Sequence, residues 1–232
     1  MISVVIPTLN EAENLGRLIG DLRAESEAVE IIVADGGSRA RTVAVAEGHG
    51  ARVVRSATGR GQQLGAGARA AAGDVLLFLH ADSRFPAGGL RRIREMLAAS
   101  PGAVGGNFRV VWDGDSSFSR RLTRCYHELR RIGLYYGDSG VFVRRAAYDA
   151  IGGFRPIAVM EDYDFVRRLE RHGKTVRIDD LTLVTSSRKF AGRRSPAIVW
   201  GWLWIHALYH LGVPPERLAR MYYPGASLRR QS

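Results

Sequence analysis

The chain has 232 residues, 46% of them apolar, which suits one folded domain or one domain plus a tail and excludes a disordered or low-complexity polypeptide. A single cysteine, Cys125, excludes an internal disulfide framework and reads as a helix-packing residue without a catalytic partner. The formal net charge of +11, nearly all from arginine, favours anionic partners such as nucleoside diphosphates or acidic headgroups; genome base composition explains part of the arginine excess but not the positive sign.

Ile2–Ile6 is an apolar run that breaks at Pro7-Thr8-Leu9-Asn10-Glu11. Residues 11–24 follow as an amphipathic helix with Leu15, Leu18, Ile19 and Leu22 on one face, Asn10 as the expected N-cap and Glu13 as its capping-box partner. Ile31–Ala34 is a second strand, broken by Asp35-Gly36-Gly37-Ser38. A short helix over 40–48 and a strand Arg52–Arg55 come next, then an Ala- and Gly-rich helix, Gly61–Ala72, able to pack closely on a sheet. Asp74–Leu79 is too short and too uniformly apolar for a self-burying helix and reads as a strand covered on both faces. It ends in His80-Ala81-Asp82-Ser83, and Pro86 precedes a helix over Gly88–Ala99. Alternating strands and helices imply a parallel α/β sheet.

Beyond residue 103 the alternation loosens. Val104–Val111, Gly140–Val143 and Thr175–Ile178 read as strands, Ser116–Ile132 and Asp162–Arg171 as helices. No linker divides the chain, so residues 1–103 and 104–190 are expected to form two halves of one domain, with 191–232 as a basic loop and a C-terminal helical tail. That tail carries Trp200, Trp202, Trp204 and Tyr209 in Ile198–Leu211, followed by Arg217, Arg220, Arg229 and Arg230. About fourteen residues are too few to span a bilayer. The segment fits a helix at a membrane interface, or one docked on its own domain, or one in a homodimer contact. His206-Ala207-Leu208-Tyr209-His210 has zincin spacing but lacks the glutamate, which favours packing over metal.

Three strands thus deliver polar or acidic residues at the same end, where ligands bind in open α/β sheets. A carboxylate there, Asp82, is placed to hold a divalent cation against a phosphorylated ligand. Gly59-Arg60-Gly61-Gln62-Gln63-Leu64-Gly65 misses the dinucleotide fingerprint and no Walker lysine exists, which excludes a Rossmann dehydrogenase and a P-loop NTPase.

Over roughly residues 1–190, the order and spacing of these motifs resemble a family-2 glycosyltransferase of the GT-A fold, in its small bacterial members. Ser3–Glu11 is similar to that family's opening strand and loop, Asp35-Gly36-Gly37-Ser38 to its second nucleotide loop, His80-Ala81-Asp82 to its Asp-x-Asp motif and Glu161-Asp162 to its catalytic pair. The resemblance implies a Rossmann-like, mostly parallel sheet flanked by helices, and inverting transfer from a UDP- or GDP-linked sugar to an acceptor that is a lipid, a glycan or a small molecule. It implies Asp162 as base, Glu161 holding the acceptor or orienting that base, and Asp82 as ligand of Mn²⁺ or Mg²⁺. His80 replaces the motif's first Asp and is assigned to the ribose. Donor contacts are expected at Pro7, Thr8, Asn10, Glu11, Asp35, Gly36, Ala81, Arg60 and Arg69. Asp138 and Ser139, in the loop under the transferred sugar, and Arg188, in a loop closing on the pyrophosphate, complete the set. Arg41 stands where the family often has Asp. The expected location is cytoplasmic, up to the inner face of the membrane, with no nucleic-acid partner. The rival readings are a sugar nucleotidyltransferase, which would need a glycine- and arginine-rich loop after the first strand, and a basic membrane- or nucleic-acid-binding module without turnover.

Overall fold

The structure, a computed structural model, describes residues 1–114, 117–188 and 195–222. In chain order it contains β1 (Ile2–Thr8), α1 (Ala12–Arg23), β2 (Val29–Asp35), α2 (Ala40–Gly48), β3 (Arg52–Arg55), α3 (Arg60–Ala70), β4 (Val75–Phe78), β5 (Ser83–Arg84) and α4 (Gly89–Ala99). It continues with β6 (Gly105–Trp112), α5 (Ser117–Arg131), a 3₁₀ turn (Gly137–Ser139), β7 (Val141–Arg144), α6 (Arg145–Ala150), α7 (Glu161–His172), β8 (Thr175–Thr185), α8 (Ser195–His210) and α9 (Pro215–Tyr222).

One eight-stranded sheet, in the order β3-β2-β1-β4-β7-β6-β8-β5, runs through both halves of the chain. The strands from β3 to β4 pair in parallel. The two-residue period of a strand sorts β1 between two cores: Val4 and Ile6 face α1, α2 and α4, while Val5 faces α3, α5 and α7. Close approach of α3 depends on Gly67, where a methyl group would overlap the Val5 side chain. β7 is antiparallel to both β4 and β6, so the sheet is parallel only within its first half and again between β6 and β8.

β8 departs furthest from expectation. Asp179-Asp180 reads as the end of a strand, yet the strand continues to Thr185. The acids sit at a register shift, where Phe108 pairs with Ile178 but Arg109 with Thr182. Arg130 of α5, almost fully buried, donates to Asp179 Oδ1 at 3.0 Å and to Asn107 Oδ1 at 2.6 Å; Arg92 pairs with Asp180 at 2.9 Å. The bulge absorbs the charges, and the continued strand returns Ser186 and Arg188 to the sheet edge where β1 and β4 end. There Thr185 pairs with Ser83.

Two local expectations are corrected. Asn10 does not cap α1: Glu11 holds that position without a side-chain cap, and Asn10 takes a left-handed φ of 57°. Cys125 is exposed on α5 rather than packed, because the adjacent Tyr126 occupies the inward position. The short strand β5, α6 and α9 had no expected counterpart. The basic loop from Lys189 to Arg194, and Arg229 and Arg230, lie outside the described residues.

Candidate active site

The site lies at the ends of β1, β2 and β4. Asn10 ties two of these loops together: its backbone N–H donates to Ser38 Oγ at 2.9 Å, and its Oδ1 accepts from the Arg39 N–H at 2.9 Å. Asp35 is buried and accepts from the N–H groups of Gly37 and Ser38 at 3.1–3.2 Å, so its carboxylate shapes its own loop. Gly36 has no side chain because Gln63 fills the space; Gln63 Nε2 donates to the carbonyls of Thr8 and Ala34, each at 2.8 Å. Sequence reading missed Gln63. Its signal is a polar residue on the sheet-facing side of a helix that otherwise buries glycine, alanine and leucine. Thr8 and Ala81 are buried beneath the surface of the site, and Pro7 is half-buried.

Asp82, half-buried just past β4, is joined by Arg188 from the far end of β8. Arg188 Nη2 lies 3.1 Å from Glu11 Oε2 and 3.5 Å from Asp82 Oδ2. The Glu11 hydrogen bond raises the guanidinium's pKa further. On the outer side of Glu11, an open cleft of about 430 Å³ runs past Asn10, Asn14, Arg39 and Arg41.

The acid pair opens α7. Met160, its N-cap, has a φ of 65°; among the described residues only Asn10 and Met160 are non-glycine residues with positive φ, and each immediately precedes a site glutamate. Glu161 is buried and forms an ion pair with Arg60 from the start of α3. Burial pushes its pKa up; Arg60 opposes the shift and Asp162 adds to it. The contact needs Gly61, where a methyl would overlap the carbonyl of Arg155. Asp162 Oδ2 accepts from the Gly137 N–H at 3.1 Å. A side-chain carbon on Gly137 would lie 3.1 Å from His80 Nε2 and 3.4 Å from Asp162 Oδ2, so the end of β4 and the start of α7 face each other across a bare glycine.

An aromatic wall, unforeseen in its contacts, backs the pair. Tyr136 stacks on Tyr163 with centroids 6.0 Å apart. The Tyr136 hydroxyl lies 3.0 Å from His206 Nε2 and that of Tyr163 lies 2.9 Å from His210 Nε2, both on α8. Burial, then His210, lowers the pKa of His206. Burial likewise raises that of Tyr136.

Three of the residues expected on the donor side are held by other contacts or stand apart from the rest. Asp138 and Ser139 lie under their loop rather than on its open side. Asp138 accepts from the Tyr126 hydroxyl at 2.9 Å, and the Ser139 hydroxyl donates to the Tyr136 carbonyl at 2.6 Å; these polar groups are buried because they hold the turn. Arg69 is exposed in the last turn of α3, about 13 Å along the helix from Arg60, beside Tyr148 at the other end of the sheet.

The model of the family described as glycosyl transferase family 2 matches residues 3–155. The chain belongs to that family. Solved structures of similar fold include the mannosyltransferase PcManGT from Pyrobaculum calidifontis in complex with GDP-Man and Mn²⁺, with a TM-score of 0.70 and 17% identity over 99% of this chain and 70% of that one. Glucosyl-3-phosphoglycerate synthase from Mycobacterium tuberculosis, in complex with Mn²⁺, UDP and glucosyl-3-phosphoglycerate, gives 0.64 and 22% over 92% and 81%. S. aureus TarS gives 0.66 and 15% over 80% of this chain, which spans only 36% of the TarS chain. No curated protein matches. At these identities the neighbours establish the fold: a GT-A-like α/β sheet with helices on both faces.

Among the described residues, no group of three or more His, Cys, Asp or Glu side chains could hold a metal by itself. Asp82 nevertheless fits a site in which protein supplies one carboxylate and a diphosphate supplies further oxygens. It is a hard oxygen donor, partly open to solvent, at the end of a strand.

Proposed function

We propose that this chain transfers a sugar from a UDP- or GDP-linked donor, with inversion, to an acceptor hydroxyl deprotonated by Asp162. The observation that carries the reading is the meeting of His80 and Asp162 across Gly137, which supports a carboxylate facing the end of β4, just beyond which Asp82 lies. The neighbours add support, since PcManGT is described with GDP-Man and the synthase with UDP, both with Mn²⁺.

The acceptor oxygen attacks the anomeric carbon from the face opposite the leaving diphosphate. Its proton passes to the Asp162 carboxylate, the new glycosidic bond forms and the anomeric carbon–phosphate oxygen bond breaks. The Gly137 N–H holds Asp162 in place. Glu161, paired with Arg60, fixes the first turn of α7 and orients its neighbour. Pro7, Asn10, Glu11, Asp35 and Gly36 form the floor and walls for the nucleoside, with His80 and Ala81 at the ribose. Arg188 supplies positive charge to the diphosphate. Asp82 would hold Mn²⁺ or Mg²⁺, which when bound neutralises charge on the leaving diphosphate.

A thermal-shift screen of nucleotides and nucleotide sugars with Mn²⁺ tests the proposal. One uridine or guanosine diphosphate series should raise the melting temperature while adenosine nucleotides do not, because stabilisation follows occupancy. A flat response across the whole series would refute it.

A further inference from the structure

The helix α8 is apolar all round. Its inner side buries Ile198 and Ile205 and turns His206 towards Tyr136. Its outer side carries Trp200, Leu203 and Trp204, exposed to 71%, 57% and 57%, and the same stripe runs on to Leu211 at 79%. The i, i+3, i+4 spacing places these on one arc. No Asp, Glu, Lys or Arg occurs between Ser195 and His210. A helix apolar on both sides is ordinarily covered on both sides. Here one side is covered by the domain and the other is open, and contiguous exposed patches of this kind mark interaction surfaces.

We propose that the outer face of α8 docks the protein on an anionic lipid bilayer. Charge on the flanking elements selects this occupant. Helix α5 shares the apolar cluster that Ile198 and Trp202 of α8 join, through Tyr126, Phe118 and Leu122, and its exposed positions include Arg120, Arg121 and Arg124. The neighbouring α9 contacts α8 through the hydrogen bond from Trp202 Nε1 to the Tyr222 hydroxyl at 3.2 Å, and exposes Arg217 and Arg220. A second copy seated on this face would set arginine-bearing flanks against each other in a chain of net charge +11, whereas an anionic headgroup layer complements them. Sixteen helical residues span about 24 Å, short of a hydrocarbon core of about 30 Å, and no described helix is long and apolar enough to cross a membrane. The helix therefore lies in the plane of the interface, where tryptophan rings are favoured. Docked in this way, the bilayer would lie about one helix diameter, some 10 Å, from the aromatic wall behind Asp162.

The test is co-sedimentation of the full chain with phosphatidylcholine vesicles made with and without phosphatidylglycerol. Binding should require phosphatidylglycerol and should weaken with salt. Trp200→Glu combined with Trp204→Glu should lower the partition coefficient at least about tenfold. Arg121→Gln should lower it by about fivefold. Both variants should keep the melting temperature and any nucleotide-induced thermal shift of the parent, since the side chains are exposed and hold no part of the site. Absence of binding to either vesicle, binding indifferent to phosphatidylglycerol, or binding unchanged in the tryptophan variant would overturn the proposal. So would a dimer, seen by light scattering, that the tryptophan changes dissociate in a chain that never sediments with vesicles.

Discussion

The two ends of the site are built differently. On the proposed donor side local and distant contacts are mixed: Asp35 binds the N–H groups two and three residues on and Glu11 accepts from Asn14, three residues on, at 2.7 Å, while Asn10 reaches Ser38 over 28 residues, Gln63 reaches Thr8 over 55 and Arg188 reaches Glu11 over 177. On the acceptor side the partners are distant. Gly137 reaches Asp162 over 25 residues, Tyr136 reaches His206 over 70, and Arg60 reaches Glu161 over 101. The loop made by Asp35 keeps its shape as long as its strand forms. An end assembled from α3, α7 and α8 depends on how those helices pack, so donor binding and turnover should be separable by mutation.

Asp162→Asn should separate them most. It removes the proposed base and leaves the loops at the ends of β1, β2 and β4 intact, so turnover should fall by about 10² or more while nucleotide affinity barely changes. Steady-state transfer rates set beside calorimetric affinities check this, and near-normal turnover would reassign the base. Gly61→Ala should have the next largest effect. Overlap with the Arg155 carbonyl should cost about 1–3 kcal/mol in urea unfolding and loosen the Arg60–Glu161 contact. An unchanged midpoint would show that α3 and the 155–161 segment yield easily.

The smallest effect belongs to Glu161→Gln, whose stability change near neutral pH should stay within about 1 kcal/mol, since the lost Arg60 pairing is offset by relief of a buried charge. Its signature is in the pH dependence. Burial raises the folded pKa of Glu161 above its ordinary 4.5, so the folded chain binds that proton more tightly than the unfolded chain does. This contribution is full below the ordinary value and is lost as pH rises through the higher folded one. Relative to the variant, the wild type should lose melting temperature as pH rises above about 4.5. A gain over that range would contradict the assignment.

The same contrast explains what was legible in the sequence. The runs Ile2–Ile6, Ile31–Ala34 and Asp74–Leu79 announce strands, and their polar ends mark the donor loops, because local pattern alone decides them. Arg188 was placed through the family resemblance, although the β8 bulge that delivers it was hidden: Asp179-Asp180 reads as a terminus until the buried Arg130, 49 residues earlier, is seen to pair with it. Gln63 and Tyr163 carry no motif, and the two histidines of α8 show only a zincin spacing without its glutamate; their contacts appear only when separate elements meet. The burial of Asp138 and Ser139 and the position of Arg69 at the far end of α3 were hidden for a related reason, since sequence does not say which side of a loop or which end of a helix faces the strand ends.

The most direct measurement is calorimetric titration of UDP and GDP, with and without Mn²⁺, into the wild type and Asp82→Ala. In the wild type, Mn²⁺ should tighten one of the two diphosphates by at least about tenfold. In Asp82→Ala the metal should add nothing, while the unliganded melting temperature stays the same, because the carboxylate lies beyond the core strand. An equal Mn²⁺ enhancement in both proteins would contradict a metal-assisted diphosphate site at the end of β4.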